Sequence, residues 1–123
     1  IQTTTVDNSV ASTGYSSNKN IASYVCANTS DKVFLLSYAE VTSATYGFTY
    51  GLSKTIARQL KPSAYAQSQG VYTNIGNSPW LLRSPYSSYA DRAQSVDSDG
   101  FVDSYSNVYY THSGVVPALW ISL

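Results

Sequence analysis

Three apolar runs, each broken by Arg, Pro or Gly, limit what this chain can fold into: PWLLRSP at 79–85, VDSDGFVD at 96–103 and GVVPALW at 114–120. Runs this short, bounded by turn residues, read as strands rather than long helices. From Trp80 onward the pattern predicts strands over Trp80 to Arg83, Ala93 to Val96, Phe101 to Tyr105, Val108 to Thr111 and Val115 to Leu123. The pair Asp99-Gly100 favours a tight turn joining two antiparallel strands.

The first half reads differently. Residues 1–30 are rich in Thr, Ser and Asn, with a short ordered segment at Ile1 to Val6 and then a long loop; Ile21 to Cys26 fits a brief helix or a strand. Val33 to Leu36 is a continuous apolar run and predicts a buried strand. Ser37 and Glu40 have capping-box spacing, so a short helix should follow, with Tyr38, Val41 and Tyr46 as anchors and Gly47 and Gly51 as its end. Ile56, Ala57 and Leu60 have helical spacing before the stop at Pro62. A further one-to-two-turn helix through SAYAQSQ closes on Gly70. Helices so short need tertiary packing to persist. The expectation is one α+β domain over residues 1–123, with short helices in the first half, an antiparallel sheet in the second and a loop-rich opening segment at 1–30.

Composition removes several functions. Charged residues are 11% of the chain and the net charge is zero, so the basic field that nucleic acid or anionic lipid requires is missing. No apolar run reaches the length of about 18 residues that a membrane-spanning helix needs, so no membrane insertion is expected. The single Cys26 forms no internal disulfide and no zinc site of paired cysteines; its expected role is a small, half-buried hydrophobe. Twelve Tyr against three Phe, with abundant Ser and Thr, suit a secreted recognition surface, in which Tyr offers large contact area with few rotors to freeze. The chain starts at Ile1 without an initiator Met or a signal-peptide pattern, as a processed or cut end would.

Taken together, DKVFLLS at 31–37, AYAQSQG at 64–70, PWLLRSP at 79–85, the Val96-to-Gly100 hairpin and GVVPALW at 114–120 resemble a bacterial domain family of unknown function, common in secreted proteins of Gram-positive gut bacteria. The resemblance covers about residues 31–123. That family is in turn similar to the C-type-lectin-like fold shared by sulfatase-modifying factors and by variable binding proteins of phage and bacteria. It implies an extracellular or cell-surface location in bacteria. Two departures limit what carries over. Val116 stands where the family has Arg, and the strand-rich upstream part with its own Trp has no counterpart, so the chain is expected to be the later portion of a larger lectin-like domain.

Candidate sites follow from residue chemistry. Arg83 lies inside an apolar strand and must find acceptors; the structural reading locks it to an Asp or to strand-end carbonyls, the functional one presents its fork to a carboxylate or sulfate. Trp80 and Trp120 invite sugar stacking but sit in strand motifs and are expected in the core, while Pro85, Gly100, Gly114 and Pro117 punctuate those motifs. Tyr86, Tyr89, Tyr105, Asn107, Tyr109, Tyr110 and His112 interleave rings with small polar groups, and form the expected ligand surface, for a glycan or an extracellular protein. The bland reading half-buries these rings against the sheet.

Asp97, Asp99 and Asp103 echo a calcium loop, yet Ser95 and Ser106 occupy its first and twelfth positions, so a plain hairpin is expected and no metal or cofactor. One Cys and one His supply neither a cysteine pair nor a multi-histidine iron site. Ser113 beside His112 has no nucleophile elbow, and no motif pairs Glu40 with a second carboxylate for glycoside hydrolysis. The leading reading is therefore a non-enzymatic recognition module. A structural building block of a large surface protein is the first alternative, and an enzyme using Glu40, an Asp or His112 in a cleft is the second.

Overall fold

Ser37 starts the clearest helix by local chemistry. Its hydroxyl accepts from Glu40 N at 3.3 Å, and Glu40 Oε2 accepts from Ser37 N at 2.7 Å, completing the capping box the spacing announced. The computed structural model describes residues 1–14, 21–87, 89–102 and 104–123, and of Ser104 the backbone alone. Within them the elements run β1 (Thr4–Val6), α1 (Val10–Thr13), β2 (Thr29–Asp31), β3 (Phe34–Leu35), α2 (Tyr38–Val41), α3 (Ala64–Ser68), β4 (Trp80–Pro85), β5 (Arg92–Val96), β6 (Ser104–Asn107) and β7 (Pro117–Ala118). Single 3-10 turns lie at Ile21–Ser23, Ala44–Tyr46 and Ile56–Arg58. The class is α+β, with short helices before residue 70 and antiparallel pairing throughout the named strands.

The main sheet has the order β4-β5-β6, with Trp80 opposite Val96 and Ala93 opposite Ser106. β4 alternates, burying Trp80, Leu82 and Ser84 and turning Leu81, Arg83 and Pro85 the other way. Trp80 and Leu82 join Val41, Val96 and Val102 in the core, flanked by Leu36, Tyr38, Leu52, Leu60 and Val116. Two smaller pairs, β1 with β2 and β3 with β7, tie the ends of the chain to this body. Gly114 accepts from Leu81 N at 3.0 Å and donates to Pro79 at 2.8 Å, and a Cβ there would lie 3.3 Å from Pro79 O. Glycine thus lets the closing segment lie along β4.

The hairpin at Asp97 to Phe101 uses three loop residues rather than two. Asp97 N donates to Phe101 O and Gly100 N to Asp97 O, both at 2.8 Å, with Gly100 at φ 85°, the arrangement of a turn closed by a glycine bulge. A Cβ on Gly100 would fall 2.1 Å from Thr55 O, so no other residue fits. Asp103 lies outside the described residues.

Several expectations need correction. Ser53 to Leu60 is not a helix: one 3-10 turn forms at Ile56–Arg58, Ile56 is 84% exposed, and the buried residue is Arg58. Helical spacing there misled because tertiary acceptors for Arg58 set the turn's orientation. Val108 to Thr111 is a turn, closed by Tyr110 N on Asn107 O at 3.0 Å. Val115 to Leu123 yields β7 and one bridge from Trp120 to Gln2, since Pro117 lacks the N–H a longer ladder needs. Of Val33 to Leu36, Phe34 and Leu35 alone pair, and Val33 is exposed. Tyr46 is half exposed rather than an anchor, and Cys26 is exposed rather than half-buried. The expected long loop holds α1 and β2, with Asn8 taking Asn28 Oδ1 at 2.8 Å on its N–H and donating its amide to Ala27 O at 3.1 Å. Residues 15–20 of it lie outside the described set.

A tight turn the sequence did not announce joins Asn74 to Asn77, each bonding the other, at 2.8 and 3.1 Å. Its central residues Ile75 and Gly76 have φ of 53° and 79°, and Ile75 is 94% exposed. A β-branched residue in the left-handed region costs about 1–2 kcal/mol, and here no burial offsets it. Ile75→Asn is therefore expected to stabilise the domain by about 1 kcal/mol, read as a higher midpoint in urea unfolding; an unchanged or lower midpoint would contradict this.

Candidate functional site

Arg83 is the hub on the first face. Its guanidinium meets Glu40 in a fork, Nη1 on Oε2 at 2.5 Å and Nη2 on Oε1 at 3.1 Å, and also donates to Leu35 O (2.7 Å), Asp7 O (3.1 Å) and Ser12 Oγ (3.2 Å). The partner is Glu40 rather than an Asp, and both side chains are largely buried. Arg83 therefore clamps α1, β3 and α2 onto β4. Its fork is not open to an external carboxylate or sulfate, and Glu40 is not a free base.

Trp80 is 2% exposed and donates its indole N–H to Arg58 O at 3.1 Å. Trp120 departs from the core expectation. It is 46% exposed and stands edge-on to Tyr46, the ring centroids 6.1 Å apart at 64°. Its backbone holds it, through Gln2 N donating to Trp120 O at 3.0 Å.

The tyrosines fall into two groups. Tyr86 stacks on Tyr105 at 4.2 Å and lies parallel to Tyr89 at 6.1 Å, while Arg92 sits 3.9 Å over the Tyr89 ring and 5.0 Å over that of Tyr105. Tyr109 meets Tyr110 edge-on at 5.2 Å, Tyr110 tilts against His112 at 6.1 Å, and buried Asn107 donates to the Tyr109 hydroxyl at 2.6 Å. The groups adjoin where Arg92 lies opposite Asn107 in the β5-β6 register. Tyr89, Tyr105, Tyr109 and Tyr110 are each about half exposed, and His112 is exposed, with its carbonyl accepting from Tyr72 N at 2.9 Å. Sequence reasoning missed Arg92, whose signal was a cation three residues after a pre-strand Tyr.

Hollows complete the picture. A groove of about 570 Å³ runs past Asp7, Ser12, Glu40, Ser43, Tyr46 and Trp120, and a smaller apolar one of about 200 Å³ shares Glu40, Tyr46 and Trp120. A third, of about 280 Å³, lies between Leu60, Trp80 and Val116. Hydrogen bonds from Ser9 hold the Asp7 carboxyl below its ordinary value. At the hairpin Lys54 donates to Asp99 at 2.9 Å and lowers that carboxyl in the same way. Among the described residues no three His, Cys, Asp or Glu side chains converge as metal ligands, and no helix is long and apolar enough to cross a membrane.

A small α+β domain with a clamped three-stranded sheet and an aromatic outer surface is the class these features define. The chain belongs to the family described as Domain of unknown function (DUF6273), whose model matches residues 1–123 and so extends over the opening segment as well as the motifs. No curated protein and no solved structure matches it.

Proposed function

We propose that this domain is a non-enzymatic recognition module of a bacterial secreted or surface protein, binding an extracellular protein partner through the Tyr86, Tyr89, Tyr105 and Arg92 surface and its neighbours Tyr109 and Tyr110. One observation carries the reading: the rings are already stacked around Arg92 in the unbound domain. Tyr and Arg are the residue types that dominate binding hot spots. Stacking that precedes binding reduces the ordering cost that association otherwise incurs. A patch of partly exposed rings around one cation suits a protein partner. A C-type-lectin-like fold fits the same reading, supported by the bridge between the chain's two ends, Gln2 with Trp120, beside the pairing of β3 with the late strand β7.

The test is capture of arrayed extracellular proteins by the purified domain, compared with Tyr89→Ala and Tyr110→Ala. A specific partner should bind each variant at least about tenfold more weakly, with melting temperatures within about 2 °C of the parent. Partners captured by both variants as tightly as by the parent, or variants that alter stability and never binding, would sink the reading in favour of a structural building block.

A further inference from the structure

We propose a second binding site, independent of the tyrosine surface: the groove beneath Trp120 is a subsite for a neutral oligosaccharide. Of the two tryptophans, Trp80 is buried in the core and Trp120 is 46% exposed, although burying such a ring would stabilise the fold. Tyr46, half exposed itself, meets it edge-on at 6.1 Å, so the pair forms a corner wall rather than a loose surface ring. Two hollows meet along that corner, about 570 Å³ with mostly polar walls and about 200 Å³ with apolar ones. The larger lies within the roughly 300–1,000 Å³ common for small-molecule sites.

The wall chemistry selects the ligand class. An indole face matches the C–H face of a pyranose ring, and the opposing groups are hydroxyls of Ser12 and Ser43 and the carboxylates of Asp7 and Glu40. Such groups accept from and donate to ring hydroxyls. Glu40 is already neutralised by Arg83, which leaves Asp7 as the groove's one uncompensated carboxylate among the described residues. That charge is too small for a cage around a fixed cation. Among the described residues no Lys, Arg or His lines the groove, so acidic sugars find no counter-charge there. The clamp of Arg83 on Asp7 O, Ser12 Oγ and Glu40 holds three of the lining residues in place before any ligand arrives, which favours a built site over an adaptable one. None of the lining residues belongs to the tyrosine surface.

The molecule carries its own reporter, because Trp80 is shielded and Trp120 is not. Chitotriose, cellotriose and mannotriose are titrated separately to about 10 mM, with acrylamide quenching of tryptophan emission and amide chemical shifts as readouts; affinities near 1 mM or tighter are expected for such a groove. One or more should protect Trp120 from quenching in a saturable manner and shift amides around Asp7, Glu40 and Tyr46. Trp120→Ala should abolish the amide shifts, and Asp7→Asn, which keeps the aromatic corner, should weaken binding at least about fivefold. Tyr89→Ala and Tyr110→Ala should bind the sugar as the parent does, so failure of the protein-partner reading leaves this result unaffected. The proposal is overturned by no saturable response to any of the three sugars, by binding that survives Trp120→Ala in a folded variant, or by tetramethylammonium or glucuronate occupying the groove in their place.

Discussion

Arg58→Ala is expected to cost about 4 kcal/mol and to lower the melting temperature by about 15 °C, the largest single effect in the molecule. Arg58 is fully buried and has no carboxylate partner among its hydrogen bonds. Its Nε donates to Gly100 O at 2.9 Å, Nη1 to Val41 O at 3.1 Å and Thr49 O at 2.7 Å, and Nη2 to Ser53 O. One planar fork thereby joins the end of α2, the Thr49–Ser53 loop and the hairpin glycine. Burial pushes the guanidinium below its ordinary value, yet an arginine stays protonated at any ordinary pH. Removing it strands carbonyls in the interior, and each stranded group costs about 1–3 kcal/mol. Arg58→Lys should restore less than half of the loss, because a single ammonium cannot reproduce a fork aimed at separate carbonyls. Urea unfolding of both variants is the measurement. A loss below about 1 kcal/mol for Arg58→Ala would mean water or neighbouring donors replace the network.

Arg83→Ala should cost about 3 kcal/mol, and Glu40→Gln about 2 kcal/mol, with a coupling of about 2 kcal/mol in a double-mutant cycle. The pair is coupled by a two-point fork, and each member holds backbone as well: Arg83 serves Leu35 O and Asp7 O, and Glu40 serves the Ser37 N–H. Buried ion pairs are often replaceable by apolar residues with little loss. Here the combined Arg83→Leu, Glu40→Leu variant should remain at least about 2 kcal/mol below the parent, because two carbonyls and one amide lose their partners. Parent-like stability in that variant would show that the clamp contributes little to the fold. The same substitutions should loosen the groove beneath Trp120, since Asp7, Ser12 and Glu40 all depend on Arg83 for their positions.

The sequence by itself determined the features whose partners are near in the chain. The capping box at Ser37 and Glu40 spans four residues, the short helix through AYAQS five, the strand at WLLRSP six, and the glycine at position 100 follows from its turn. The aromatic surface was legible as composition, because Tyr side chains beside Ser and Asn carry their chemistry wherever they stand. Tertiary structure alone decided the rest. Arg58 bonds backbone carbonyls, which every residue has, so no sequence signal marks its partners. Arg83 could be assigned acceptors but not Glu40, since the distance between them in sequence is 43 residues and β4 must first pack against α2. Trp120 looked like core because its motif is apolar, yet β7 ends at Ala118 and a single backbone bridge to Gln2 holds Trp120 with its ring outside. Burial depends on which surfaces the whole chain closes over, and local pattern does not contain that information.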